Sequence, residues 1–331
     1  GAGTALEAVS RTLEDIDVIE LEPRVLEANQ RFRARRAIDP LGLPGLHLQV
    51  NDARGALNLT IKRYDIVVSQ PSHPWTAGAS HLYTREFFHV VRDHLTPDGV
   101  FVQWIDLDLV DPPLLGSLLA TLLDAFPQVR IYRPFFRGTA LFLASGAPLE
   151  VEANAARAIA ASPLELARAG VQTREDVAAA LSLDEAGVRA LAADAPLTTD
   201  DRNLLETRTI RVTAPLGYQG ADQLLAPLDP LPARLGDLDR LYLVRRLLAD
   251  WDFPRAARAV AAIGDPVERL TADGIVALAT ERVADGRRSL RAALAEDPDA
   301  YEARIALLRS ERARLVAGDI ERRGGVSRPW H

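Results

Sequence analysis

"YDIVVSQPSHPWTAGASHLYTREFF", residues Tyr64 to Phe88, joins a short apolar β-type run to a helix through a loop of Pro, Ser, His and Gly. Pro71 and Pro74 fix φ and stiffen the path, and Gly78 permits the turn. Gln70 and His73 therefore stand on a rigid loop just beyond the carboxyl end of a strand. Open α/β sheets bind their ligands at that edge.

Working outward, the same alternation continues on both sides. "IDVIEL" (16–21) reads as a strand and leads into a helix from Pro23, a suitable first helical residue. "LHLQV" (46–50) is the next strand. After the loop come a helix over 84–95, the turn "TPDG" (96–99) and the strand "VFVQWI" (100–105). A helix from Pro112 to Phe126 precedes "VRIYRP" and "TALFLAS", which read as a closing antiparallel pair. Strands alternating with helices of this length predict an α/β domain over residues 1–146, mostly parallel, with helices on both faces.

Residues 147–212 are Ala-rich and predicted helical, ending in "LTTDDRNLLETRTIR". A Pro- and Gly-spotted linker follows at 213–237, and residues 238–331 are helical only. Within them "ADGRRSLRAALAEDPDAYEARIALL" (284–308) resembles a tetratricopeptide helix pair, and "DFPRAARAVAAI" (252–263) a degenerate earlier copy. Such units need about three copies to stand alone, so these are expected to pack on the sheet domain or on a protein partner.

The chain has 331 residues, 48% of them hydrophobic and 26% charged, as in a globular protein rather than a disordered one. A net charge of −7 argues against a nucleic-acid surface. Lys62 is the sole lysine, and the arginines read as solvated helix faces. With no cysteine there are no disulfides, thiolate metal sites or Cys nucleophiles. No metal is expected, because no His/Asp/Glu cluster has ligand spacing. The longest nearly apolar run, "LLGSLLATLL", falls far short of the ~20 residues that cross a bilayer. The chain as given is therefore expected in the cytoplasm. It contains no Met and opens inside a glycine turn, so it reads as an N-terminal truncation.

That turn, "GAGTALEAV", is a Gly-x-Gly leading into a helix, where backbone can approach a ligand closely. Glu20, 17 positions beyond Gly3, ends the next strand, where a carboxylate can accept both ribose hydroxyls. Asp52 follows the third strand and could accept from an adenine amino group, while Ala53 offers an N–H. For each acid the alternative is a cap at a helix start. In this order the three features suggest an adenosine-bearing ligand, nicotinamide dinucleotide or S-adenosyl compound alike.

The stretch "YDIVVSQPSHPWTAGASHLYTREFFHVVRDHLTPDGVFVQWI" resembles the spermidine synthase (polyamine aminopropyltransferase) family, most of all the branch fused to a membrane transporter-like segment. "LTTDDRNLLETRTIR" resembles a segment found late in that branch, and the likeness covers residues 1–212. It implies the Rossmann-like S-adenosylmethionine methyltransferase fold, with the first strand missing ahead of Gly1 and a gap between "IDVIEL" and "YDIVVS". It also implies a nucleoside site lined by Gly1, Gly3, Thr4, Glu20, Asp52 and Ala53, and S-adenosylmethionine or its decarboxylated form as substrate. A small amine would be the acceptor, and upstream spanning helices would tether the full-length protein to a membrane. Self-association into a homo-oligomer stays open.

The departures matter as much. Aminopropyl transfer needs carboxylates to hold cationic amines and accept a proton. The family supplies them at the positions that here read Thr4, Gln70 and His73. His73 could still act as a base, Gln70 could hydrogen-bond an amine, and Tyr83 and His81 stand where the family contacts its amine. Asp106, Asp108 and Asp111 are substitutes for the missing acids or simply helix caps. Trp75 is a stacking surface or a packing anchor, and His89 and His94 are expected to be structural. Three readings follow: an aminopropyltransferase, a methyltransferase on intact S-adenosylmethionine, favoured by Thr4, and a degenerate nucleoside-binding scaffold whose tail recruits a partner.

Overall fold

Val and Ile recur in β-type runs such as "IDVIE" and "YDIVVS", and Pro23, Asp52 and Asp111 stand at the starts of three of the helices that follow strands. The computed structural model describes residues 3–7, 9, 12–36, 39–71, 78–134, 138–209 and 215–322. Its first elements are α1 (Thr4–Glu7), β1 (Ile16–Glu20), α2 (Pro23–Phe32), β2 (Leu46–Val50), α3 (Ala53–Leu59) and β3 (Tyr64–Ser69). They are followed by α4 (Arg85–Asp93), β4 (Leu95–Asp106), α5 (Pro112–Ala125), β5 (Gln128–Tyr132) and β6 (Thr139–Ser145). His73, Pro74, Trp75 and Gly1 lie outside the described residues.

The strands form two sheets. β1 and β2 pair in parallel, Ile16 opposite Leu46 and Glu20 opposite Val50. The larger sheet runs β3-β4-β6-β5 and ends on β7 (Leu181–Leu183). β3 and β4 are parallel, whereas β4–β6, β6–β5 and β5–β7 are antiparallel; β5–β6 is the expected closing pair, and the larger sheet is mixed rather than mostly parallel. No strand ladder joins the two sheets among the described residues. The fold is thus the Rossmann-like α/β arrangement expected, with the gap between "IDVIEL" and "YDIVVS" in place. Side chains cross that gap instead. The Tyr64 hydroxyl donates to Asp17 Oδ2 at 2.7 Å, and Lys62 Nζ lies 2.9 Å from Asp17 and 3.1 Å from Asp15. Burial acts to raise the Asp17 carboxyl, but bonds from Lys62 and Tyr64 outweigh it and hold it below the usual range.

The expected "TPDG" turn is a bulge inside β4. Tyr64 pairs with Leu95 but Ile66 with Val100, so four residues of β4 leave the ladder between those pairs. Gly99 is required there: a Cβ would sit 3.0 Å from the Tyr64 carbonyl oxygen.

Helix α5 is apolar nearly all round and therefore buried. Asp111 caps it and Pro112 starts it, and its polar interior residues turn inward on the helix, Thr121 Oγ1 donating to the Ser117 carbonyl. Phe87, Phe88, Phe101, Phe126 and Phe142 are buried with it, Phe101 stacked on Phe126 at 5.9 Å between ring centres. Each such ring contributes about 1.5–3 kcal/mol by burial. This core supports the carboxyl ends of β3 and β4.

After β6 come α6 (Val151–Ala161), α7 (Pro163–Arg168), α8 (Arg174–Ala180), β7, α9 (Glu185–Ala192), α10 (Leu204–Thr209) and α11 (Gly217–Leu225). The stretch read as helical thus also supplies a strand, because Leu181 and Leu183 are buried on the free edge of β5. The chain divides into two compact units, Gly1–Pro230 and Leu231–His331. The second holds α12 (Arg240–Ala249), α13 (Phe253–Ala261), α14 (Pro266–Ala279), α15 (Val283–Glu296) and α16 (Tyr301–Arg322). There α14 and α15 cross at glycines: a Cβ on Gly274 would lie 2.5 Å from Leu290 Cγ. No helix among the described residues is long and apolar enough to cross a membrane.

Candidate active site

Glu20 and Asp52 stand at the same end of the parallel β1–β2 pair. Their strands are in register to Val50, and the Asn51 amide donates to the Glu20 carbonyl at 3.1 Å. The Glu20 side chain accepts from the Glu22 amide at 3.2 Å. Burial acts to raise its carboxyl, and hydrogen bonds, that from Glu22 included, outweigh it and lower it. Asp52 caps α3, its Oδ2 accepting from the Gly55 amide at 2.6 Å, and Ala53 is the first residue of that helix. The capping role weighed for Asp52 is therefore real and engages one carboxylate oxygen.

Gly3 has φ +75°, a conformation that glycine alone adopts easily, and a Cβ there would meet Pro40 Cγ at 3.1 Å. Gly3 thus packs against the 3₁₀ turn Pro40–Gly42, and Thr4 opens the short α1. Gln70 is exposed directly after β3. Tyr83 is fully buried, donating its hydroxyl to the Trp104 carbonyl at 2.8 Å, and burial pushes its phenol well above the usual tyrosine range. Its oxygen faces the protein core. Asp106 and Asp111 cap the turn Leu107–Leu109 and α5. His94 contacts the Val90 and Thr60 carbonyls, and His89 pairs with Asp124 at 2.7 Å, in keeping with their structural reading.

The residue that organises this region escaped individual notice. Asp200, from "TTDDRN", takes both Arg54 nitrogens, at 2.8 and 2.6 Å, and the Thr84 hydroxyl at 2.8 Å. His81 Nδ1 lies 3.5 Å from its Oδ1. Arg54 holds its carboxyl low, at about 2. Its own amide donates to Glu86, and the Arg85 amide donates to the Thr198 carbonyl. This late segment therefore ties the first turn of α3 to the end of the loop and the start of α4. The singled-out motif "LTTDDRNLLETRTIR" was the only signal, and it did not say which residue mattered.

Among the described residues no group of three His, Asp or Glu side chains could hold a metal ion. The arrangement leaves carboxylates at two adjacent strand ends, and His81 tied to the start of α3 through Asp200 and Arg54.

Residues 1–135 match the spermine/spermidine synthase domain. The chain is 25% identical over 159 residues to polyamine aminopropyltransferase 2 of Aquifex aeolicus, covering 46% of this chain and 32% of that protein. It is 28% identical over 120 residues to the polyamine aminopropyltransferase of Nitrosomonas europaea, covering 36% and 37%. The chain thus spans about a third of the length of these curated relatives. A probable spermidine synthase of Corynebacterium glutamicum overlaps 56% of the chain and 63% of its own, at 23% identity and a TM-score of 0.39. The spermidine synthase domain match ends before Asp200, so the residue that clasps the site stands outside it.

Proposed function

We propose that this chain carries the nucleoside-binding part of a spermidine synthase-like transferase, which binds decarboxylated S-adenosylmethionine and passes its aminopropyl group to a small amine. The observation that carries this is the spermidine synthase domain match over residues 1–135, with Glu20 and Asp52 at neighbouring strand ends inside it. In this reading Glu20 accepts from the ribose hydroxyls and the free oxygen of Asp52 from the adenine amino group. The Gly1–Gly3 turn and Ala53 offer backbone to the nucleoside. Gln70 and His73 line the amine side, while Tyr83, its hydroxyl bonded to the Trp104 carbonyl, anchors the end of their loop.

The amine nitrogen attacks the carbon bonded to the sulfonium sulfur. A C–N bond forms as the C–S bond breaks, methylthioadenosine leaves, and the new ammonium gives up one proton to a base. No acid stands at positions 4, 70 or 73, so nothing there offsets the charge of a buried diamine. Desolvating an unpaired ammonium costs several kcal/mol. Weak diamine binding follows unless Asp106, Asp108 or Asp111 substitutes. Incubation with the decarboxylated donor and a panel of diamines, with methylthioadenosine as readout, tests the reading. Absence of product with every amine would dispose of it.

Thr4 supports a second reading, methyl transfer from intact S-adenosylmethionine. An acid at that position would repel the donor's carboxylate, and a hydroxyl does not. Calorimetry with the intact and decarboxylated nucleosides separates the two, since preference for the decarboxylated form counts against methyl transfer. The helical unit Leu231–His331, with its tetratricopeptide-like stretch, is read as a protein-docking tail.

A further inference from the structure

We propose that Asp200 is a positioning residue of the transfer site, orienting His81 so that its Nε2 takes the proton released by the attacking amine; this rests on the transferase reading above. Asp200 is held from three sides: by Arg54 on both oxygens, by the Thr84 hydroxyl and by His81 Nδ1. Paired with Arg54, its carboxyl is held low and is ionised above about pH 4, where it can only accept hydrogen bonds. The hydrogen between it and His81 therefore sits on Nδ1. A neutral ring then carries its lone pair on Nε2.

That nitrogen has no partner among the described residues, and the His81 side chain is 40% exposed. The loop presenting it runs from Gly78, with φ +90°, to Tyr83, whose buried hydroxyl anchors the far end. The charged groups around the pair are Arg54 on α3, Arg85 and Glu86 on α4, and Glu206 on α10, which reaches Ser80 at 3.5 Å. Arg54 holds both oxygens of Asp200 in place, so the carboxylate orients the ring. As the C–N bond forms and C–S breaks, one N–H proton of the new ammonium passes to Nε2, giving an imidazolium that Asp200 stabilises. A carboxylate from "TTDDRN" would thus serve the loop in which position 70 is Gln and position 73 His.

The test uses the full chain with decarboxylated S-adenosylmethionine and a diamine. His81→Gln is expected to lower kcat by about 100-fold or more. Asp200→Asn is expected to lower it by about 10–100-fold, with KM for the nucleoside within about threefold of wild type. Both variants lose or displace the acidic limb of the pH–rate profile, and the double variant falls no further than His81→Gln alone. Imidazole ¹⁵N spectra of the wild type should show His81 as the Nδ1–H tautomer, a reading that stands even where Asp200→Asn fails to fold. An Nε2–H tautomer in the wild type, or an Asp200→Asn profile superimposable on the wild-type one, overturns the inference. Failure of the transferase reading looks different: the wild type makes no methylthioadenosine while its His81 tautomer is still read from the spectrum.

Discussion

The Arg54 guanidinium grips both carboxylate oxygens of Asp200 across 146 residues of chain. The pair joins the first turn of α3, where Asp52 caps, to the segment that also holds Thr84 and His81. Both side chains are only partly exposed, so water screens the pair incompletely.

Arg54→Ala should therefore cost about 1–3 kcal/mol at pH 7 in urea unfolding. Asp200 titrates near 2 when folded, against its ordinary 3.8. Its depressed value means that the stabilisation is fully present above about pH 4 and fades as pH falls toward 2. The gap between variant and wild type should narrow over that window, and an undiminished gap at pH 2 would refute the ionic account.

Glu20→Gln and Asp52→Asn should each weaken nucleoside binding by about tenfold, roughly the loss of one charge-assisted hydrogen bond. Asn caps helices as well as Asp does, so Asp52→Asn should leave the melting temperature nearly unchanged. Calorimetric affinity equal to wild type in both variants would remove these carboxylates from the site.

Tyr83→Phe deletes a buried bond to the Trp104 carbonyl and leaves that oxygen short of a partner, a loss of about 1–2 kcal/mol. Denaturant melts measure it. If the hydroxyl also served the amine, kcat would fall further than the lost stability explains.

Gly274→Ala drives a methyl against Leu290 where α14 and α15 cross, and should destabilise the second unit by about 1–3 kcal/mol. Nucleoside affinity, assigned to the first unit by the proposed function, should not change. A parallel loss of affinity would show that the two units are not energetically separate.

Amide exchange should be faster in β1 and β2 than in β4 and β6. Among the described residues the first pair is a parallel ladder of two strands, and two strands alone are marginal in water. Val102 of β4, by contrast, is laddered on both sides, to Val68 and to Leu143. Equal protection in both sheets would mean that something other than backbone pairing stabilises β1.

The alternation of strands and helices was legible because each element writes its own period in a few neighbouring residues. "TPDG" reads as a turn but lies as a bulge within β4, whereas the Val- and Ile-rich runs, Pro at helix starts and the acids after β1 and β2 were legible in local chemistry. What they touch was not. Asp52 in sequence is equally a cap and a ligand group, and only coordinates show that it caps with one oxygen. Tyr83 reads as a site residue until the sheet folds and its hydroxyl turns to Trp104. Asp200 carries no periodic signal at all, since the partners that fix it lie 114 to 146 residues away. Local sequence set most of the strands and helices of residues 1–146, their order and the spermidine synthase likeness, but not β7. Tertiary structure alone decided the split sheet, the buried tyrosine and the clasp on Arg54, because propensity and periodicity act over a few residues while burial and ion pairing act between segments that only folding brings together.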